Sequence, residues 1–153
     1  MKRQQHSIHV SIAQQRLELK VGRTVIRRFP VSTSRFGVGT EPGSKKTPLG
    51  RFRVSDKIGH GMPAGTIFKS RVPLLPSDPK PASEDFVMSR ILWLDGLSQE
   101  NANTRDRFIY IHGTQHEDKI GQPASHGCIR MRNTDVIELF DLVEEDAPVT
   151  IKE

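Results

Sequence analysis

Apolar residues in the first part of this chain recur with a period of two, not 3.6, and that alternation confines the fold to sheet. Ile8, Val10 and Ile12 alternate with His9 and Ser11, Leu17, Leu19 and Val21 with Glu18 and Lys20, and Val25 to Val31 forms a third run. Side chains two apart share one face of a strand, so each run reads as a short half-buried strand. Gln14-Gln15 and Gly22-Arg23 read as the hairpin connections, the second the better because glycine tolerates positive φ. Phe52 to Ser55, Ser89 to Leu94 and Arg107 to Ile111 read as further strands, with Val149 to Ile151 closing the fold. The Arg107 to Ile111 run is nearly all apolar and is expected to be buried on both faces.

Only one segment carries a helical period. Val136, Leu139, Phe140 and Val143 recur at i, i+3, i+4 and i+7, which predicts a helix from about Thr134 to Glu144. Asn133 or Thr134 is the expected cap, Asp135 and Glu138 suit the positive end, and Pro148 blocks any helical continuation. Residues 35–50 carry loop chemistry in Gly37, Gly39, Pro42, Gly43, Pro48 and Gly50. Residues 71–85 hold Pro73, Pro76, Pro79 and Pro81, too many for a helix or a central strand, so this stretch reads as a surface excursion. A long loop of this kind is a lid, a binding loop or simply variable. With no repeat or linker, residues 1–153 read as one mostly β domain, an α+β layout instead of alternating βαβ units.

A chain of 153 residues can bury a core without staples, and its single cysteine excludes an internal disulfide. There are 23 Lys and Arg against 18 Asp and Glu, and 23 − 18 gives +5. The positive residues are scattered pairs such as Lys2-Arg3, Arg27-Arg28 and Lys45-Lys46, with one Trp and one Tyr in the chain, so neither a basic stripe nor a base-stacking platform for nucleic acid is present. Such scattered pairs read first as solvated faces, with attraction of a small substrate rich in carboxylates as the second reading. The longest apolar runs, Ile91 to Leu94 and Phe108 to Ile111, are far too short to span a membrane. The basic N-terminus lacks the apolar stretch of an export signal, so a cytoplasmic location is expected unless a leader has been trimmed.

Chemistry concentrates between the last apolar strand and the helix. His112-Gly113-Thr114, His116 and Ser125-His126-Gly127-Cys128-Ile129-Arg130 place three of the six histidines and the only cysteine within 17 positions. A single cysteine is commonly a small buried hydrophobe. Here Gly127 removes bulk beside the sulfur, the amides of Gly127 and Cys128 can converge as an oxyanion hole, and Arg130 with nearby imidazoles favours thiolate. His112, at the end of a buried strand, suits a general base, with the carbonyl of Gly113 or Thr114 to orient its other nitrogen. The competing readings are a core histidine and a zinc site built from His112, His116, His126 and Cys128. His-x3-His shares a face only on a helix, which Gly113 after a β-run disfavours, and neither Cys-x-x-Cys nor His-Glu-x-x-His occurs, so no metal or other cofactor is expected.

Ser125-His126-Gly127-Cys128, with His112-Gly113 upstream, resembles the signature of the L,D-transpeptidase catalytic domain, also called the YkuD domain. Thr47-Pro48-Leu49-Gly50-Arg51-Phe52 resembles that family's Thr-Pro-x-Gly-x-Phe segment, and Ile129-Arg130 the continuation of the cysteine motif. The resemblance implies an L,D-transpeptidase-like β-sandwich, with one main helix after the cysteine, and a cysteine acyltransferase acting on peptidoglycan stem peptides. It further implies Cys128 as nucleophile, His112 as base, oxyanion amides at Gly127 and Cys128, and a pocket shaped by Ser125, His126 and Arg130. Arg130 is equally well placed for a structural ion pair, with Asp135 as the expected partner. The expected reaction removes terminal D-alanine from a stem tetrapeptide or muropeptide. Water as acceptor makes it an L,D-carboxypeptidase of wall recycling, and a second stem peptide or a D-amino acid makes it an L,D-transpeptidase. A stem-peptide-binding domain without catalysis is a third reading, and labelling of Cys128 by a carbapenem is expected for an active member.

Overall fold

The structure, a computed structural model, describes residues 5–82 and 85–153. Residues 1–4, which carry the Lys2-Arg3 pair, and residues 83–84 of the proline-rich excursion lie outside the described residues. The period-two runs fold as predicted into β1 (His6–Ser11), β2 (Arg16–Val21) and β3 (Thr24–Pro30), an antiparallel meander. Gly22 turns the second hairpin at φ +60°, and Gln15 turns the first at φ +48°. Along the chain come next β4 (Gly50–Ile58), β5 (Ile67–Lys69), β6 (Val72–Pro73), β7 (Val87–Gly96), β8 (Tyr110–Gly113), β9 (Ile129–Met131), the helix α1 (Asn133–Leu142) and β10 (Pro148–Lys152).

Strand order runs β3-β2-β1-β10-β4-β7, with β8 on the other edge of β7 and β9 parallel to β8. β10 inserts between β1, to which it is parallel, and β4. Beyond β3 the chain meets β9: the amides of Ser32 and Arg130 each donate to the other's carbonyl at 2.9 Å. The sheet thereby curls back on itself, and its two distant edges find partners. Alternation then sorts side chains by face. Ile8, Val10, Leu17, Leu19, Phe29, Phe52, Leu92, Leu94, Ile111, Ile129 and Met131 meet inside the curl with Val136, Leu139 and Phe140 of α1. Ile91, Trp93 and Tyr110 point to the opposite face, where Phe68 of β5 covers them.

Three details depart from the sequence reading. The strand predicted from Arg107 begins only at Tyr110: Phe108 has φ +58° and is 50 % exposed, so the apolar run bends out before entering the sheet. The excursion at 71–85 contributes β6, which as an edge strand tolerates Pro73. The helix begins after Arg132 with no side-chain cap. The side chain of Asn133, expected to cap it, instead accepts from Ser89 Oγ at 2.6 Å and donates to the Thr114 carbonyl at 2.9 Å.

Candidate active site

The parallel pairing of β8 and β9 sets His112 beside Arg130. Alternation then puts Tyr110 and His112, with Cys128 and Arg130, on one face of the sheet. Cys128 precedes β9 by one residue and is half-buried against Phe68, Ile91, Trp93 and Tyr110. The Tyr110 amide donates to its Sγ at 3.3 Å, and the thiol donates to the Phe108 carbonyl at 3.3 Å. The outward bend at Phe108 therefore supplies the carbonyl that holds the resting thiol.

His112 is fully buried. Its Nδ1–H donates to the Gly113 carbonyl at 2.5 Å, and among the described residues Nε2 has no hydrogen-bond partner. A proton fixed on Nδ1 leaves the Nε2 lone pair as the only free basic position of the ring. Burial holds the imidazole below its ordinary range, against the opposing pull of Asp85 and the Gly113 carbonyl. Burial also pushes the Cys128 thiol up to about 12, although the Tyr110 amide, Arg130 and Arg107 pull it down. The resting pair is a neutral thiol and a neutral imidazole.

That balance corrects the expectation that Arg130 and the imidazoles favour thiolate. Arg130 lies buried with its Nε on Asp85 Oδ1 at 3.0 Å, the two side chains 4 % and 15 % exposed. Asp85 offsets the cation's field at the sulfur, since it pushes the thiol up while Arg130 pulls it down. The ion-pair partner is Asp85, from the end of the proline-rich excursion, and not Asp135.

The loop before the cysteine is built from local hydrogen bonds. Ser125 Oγ donates to the Cys128 carbonyl at 2.6 Å and accepts from the Gly127 amide at 3.3 Å. One of the two amides expected in an oxyanion hole is thus engaged within the loop. Gly127 stands at φ +121°, where an L side chain is strained, and an added Cβ would meet the Lys46 carbonyl at 3.4 Å and Ile109 Cδ1 at 3.5 Å. Those distances are ordinary van der Waals contacts, so it is the backbone conformation that calls for glycine here. Thr47 Oγ1 donates to the Gly127 carbonyl at 2.9 Å and accepts from the Ser34 amide at 3.0 Å, which ties the Thr-Pro segment to the cysteine loop.

Two clefts flank the end of the excursion, where Asp85 holds Arg130 and the Phe86 amide donates to Gln115 Oε1 at 2.9 Å. A cleft of 390 Å³ is lined by Arg35, His116, Lys119, His126 and Arg130 with Gln122, Pro123 and Ala124. A larger one of 590 Å³ is mainly apolar, with Met62, Pro63, Ile67, Leu74, Leu75 and Met88. His116 and His126 thus belong to a cleft wall, and among the described residues no three of His, Cys, Asp or Glu gather as metal ligands. Asp85, Arg35, Lys119 and Arg71 carry no sequence signal. Arg71, at the tip of the β5–β6 hairpin, donates to Tyr110 Oη at 3.0 Å and lies over Trp93 and Phe108, closing the aromatic wall beside Cys128.

Comparison with known proteins converges on one fold. The profile of the YkuD L,D-transpeptidase catalytic domain matches residues 5–151. "Putative L,D-transpeptidase YkuD" of Bacillus subtilis (strain 168) is 28 % identical over 147 residues, covering 95 % of this chain and 65 % of that protein. Among solved structures, an L,D-transpeptidase from Mycobacterium smegmatis aligns with TM-score 0.61 at 18 % identity, covering 98 % of this chain and 59 % of the other. L,D-transpeptidase 3 from Mycobacterium tuberculosis, in complex with a faropenem-derived adduct, aligns with TM-score 0.61 at 17 % identity over 98 % and 61 %. The chain spans less than two thirds of the length of each of these relatives.

Proposed function

The chain belongs to the L,D-transpeptidase catalytic domain family, and from that premise we propose that it is a cysteine acyl-enzyme peptidase that removes the terminal D-alanine of peptidoglycan stem tetrapeptides. The observation that carries this reading is the His112 ring, locked through Nδ1 on the Gly113 carbonyl with Nε2 unpartnered among the described residues, on the face that bears Cys128. Nε2 takes the thiol proton, which leaves the Phe108 carbonyl, as Sγ attacks the carbonyl between the L-centre of the diamino acid and D-alanine. The Cys128 amide donates to the developing oxyanion, because the Gly127 amide is held by Ser125. His112 returns the proton to the leaving amine, D-alanine departs, and a thioester remains. Thiolate forms only with the transfer, consistent with a thiol that burial keeps neutral at rest.

Water resolves the thioester in this reading, activated by the same Nε2, and the product is a tripeptide. The larger cleft favours water: most of its wall is apolar, with Met62, Ile67, Leu74, Leu75 and Met88, and only Asp78 and Lys80 among its described lining residues are charged, which offers little to a second stem peptide bearing several charges. Such an enzyme acts on short muropeptides, as wall recycling requires. Transfer to a second stem peptide or a D-amino acid is the alternative, favoured by the names of the relatives. Capture of Cys128 by a β-lactam of the penem or carbapenem type follows from the same acylation chemistry, and the Mycobacterium tuberculosis relative carries a faropenem-derived adduct.

Mass spectrometry of a disaccharide-tetrapeptide and of the free tetrapeptide, incubated with the protein or with Cys128→Ala, tests the reading. Loss of one alanine without any acceptor establishes carboxypeptidase action. Dimers or exchanged termini with little hydrolysis establish transfer. Intact substrate with the wild-type protein, alongside a thiol that resists a carbapenem, refutes catalysis and leaves a stem-peptide-binding domain.

A further inference from the structure

The cleft of 390 Å³ presents five basic or imidazole side chains and, among the described residues, no acidic one in its lining. Arg27, Arg53 and Arg105 elsewhere on the surface each hold a carboxylate. Arg35 and Lys119, both exposed, hold none among the described residues. Arg35 is nevertheless held in place: its amide donates to the Ser125 carbonyl at 3.1 Å, and its guanidinium lies 4.8 Å from the centre of the Phe36 ring. The positive field of this wall registers on His126, whose imidazole is held below its ordinary range by burial and by Arg130, Arg35 and Lys45, against Asp85. His126 and Arg130, both in the wall of this cleft, stand two residues before and two residues after Cys128 in the chain. Arg130 is already neutralised by Asp85, which leaves Arg35 and Lys119 as the cations able to meet a ligand.

We propose that this cleft seats a free carboxylate of the acyl-donor peptide, and that Arg35 and Lys119 make the enzyme select carboxylate over carboxamide there. The inference rests on the stem-peptide reading above and adds the group recognised. Such a donor offers two sources of the same chemistry: the terminal carboxylate of the leaving D-residue and the side-chain carboxylate of the diamino acid. Paired cations on one carboxylate give charge-assisted hydrogen bonds that a neutral amide cannot match.

The test compares kcat and KM for three tetrapeptides, one with both carboxylates free, one amidated at its C-terminus and one amidated on the diamino acid side chain. Wild type and Arg35→Gln/Lys119→Gln are measured with each, at low and high salt. Wild type is expected to show KM about ten- to a hundredfold higher for one of the two amides, the size of one charge-assisted contact. The amide that suffers identifies the carboxylate seated. The double variant is expected to lose that preference, with its penalty confined to KM for the free carboxylate and diminished at high salt. Equal KM for all three peptides in the wild type, or a preference that survives the double substitution, overturns the inference while leaving the peptidase reading intact. Absence of turnover of any peptide by the wild type overturns both.

Discussion

Replacing Asp85 by alanine strips a buried guanidinium of its counter-charge, and the size of the loss follows from the burial of the pair. Arg130 is 3 % exposed and carries β9, whose amide and carbonyl seal the curled sheet against Ser32. Removing one member of a buried ion pair costs about 3–5 kcal/mol, because the survivor keeps its desolvation cost without its partner. For a domain of this size each kcal/mol shifts Tm by about 2–4 °C, so Asp85→Ala is expected to lower Tm by roughly 6–20 °C. Asp85→Asn, which keeps an acceptor for Nε, is expected to lose about half of that. Arg130→Met together with Asp85→Ala is expected to lose less than either single change, since no charge is then left stranded. Thermal melts followed by circular dichroism at pH 7 measure each variant beside the wild type. A shift below about 2 °C for Asp85→Ala, or a double variant whose loss is the sum of the singles, refutes the reading of Asp85 as the counter-charge of a buried Arg130.

A thiol pushed up to about 12 leaves roughly one molecule in ten thousand as thiolate at pH 8. Iodoacetamide is therefore expected to alkylate Cys128 far more slowly than a free cysteine, with a rate that climbs through pH 10; a plateau near pH 8 would show that His112 holds the proton at rest. Because burial lowers His112, the ring stays neutral to below its ordinary 6.5, and the acid limb of kcat/KM is expected below that value. The linked stability runs the same way: the unfolded chain binds the proton first, so stability contributed by neutral His112 is present above about pH 6.5 and is lost as pH falls, which pH-dependent urea titrations measure. Gly127→Ala is expected to cost about 1–3 kcal/mol from its φ of +121° and to lower kcat, read by denaturation and turnover on the same preparation. His112→Gln is expected to reduce kcat about 10²- to 10⁴-fold while leaving a carboxylate peptide able to bind, as isothermal calorimetry would report.

Alternating apolar residues expose β1, β2, β3 and β10 to a reading of the chain alone, and β7 shows itself by its unbroken apolar run Ile91 to Leu94. β5 and β6 are three and two residues long, too short for any period, and β6 contains a proline. β9 is hidden for another reason: its middle residue is Arg130, whose burial depends on Asp85, 45 positions earlier. Cys128 and His112 are legible because their residue types and order are a chemical statement in themselves, and the Gly113 carbonyl is in reach of the ring simply by adjacency. The protonation state is not legible. Counting nearby cations predicts a thiolate, whereas desolvation, a property of the packed fold, decides for the thiol. Gly127 stands out in the chain for its lack of bulk beside the sulfur, while its positive φ, a second reason for glycine, shows only in the fold. Arg35 and Lys119 gain meaning only when the cleft brings loops more than 80 residues apart together.

The placement of β10 bears on how the protein is made. Val149 pairs with Ile8 on one side and Phe52 on the other, so the strand that joins the meander to the rest of the sheet is among the last of these elements to leave the ribosome. Until residues 148–152 emerge, β1 and β4 each present an unpaired edge, the kind of surface on which nascent chains adhere to one another. Folding during synthesis is then limited to two unfinished half-sheets, and a message truncated before Pro148 yields a product for chaperones and proteases in place of a weakened enzyme.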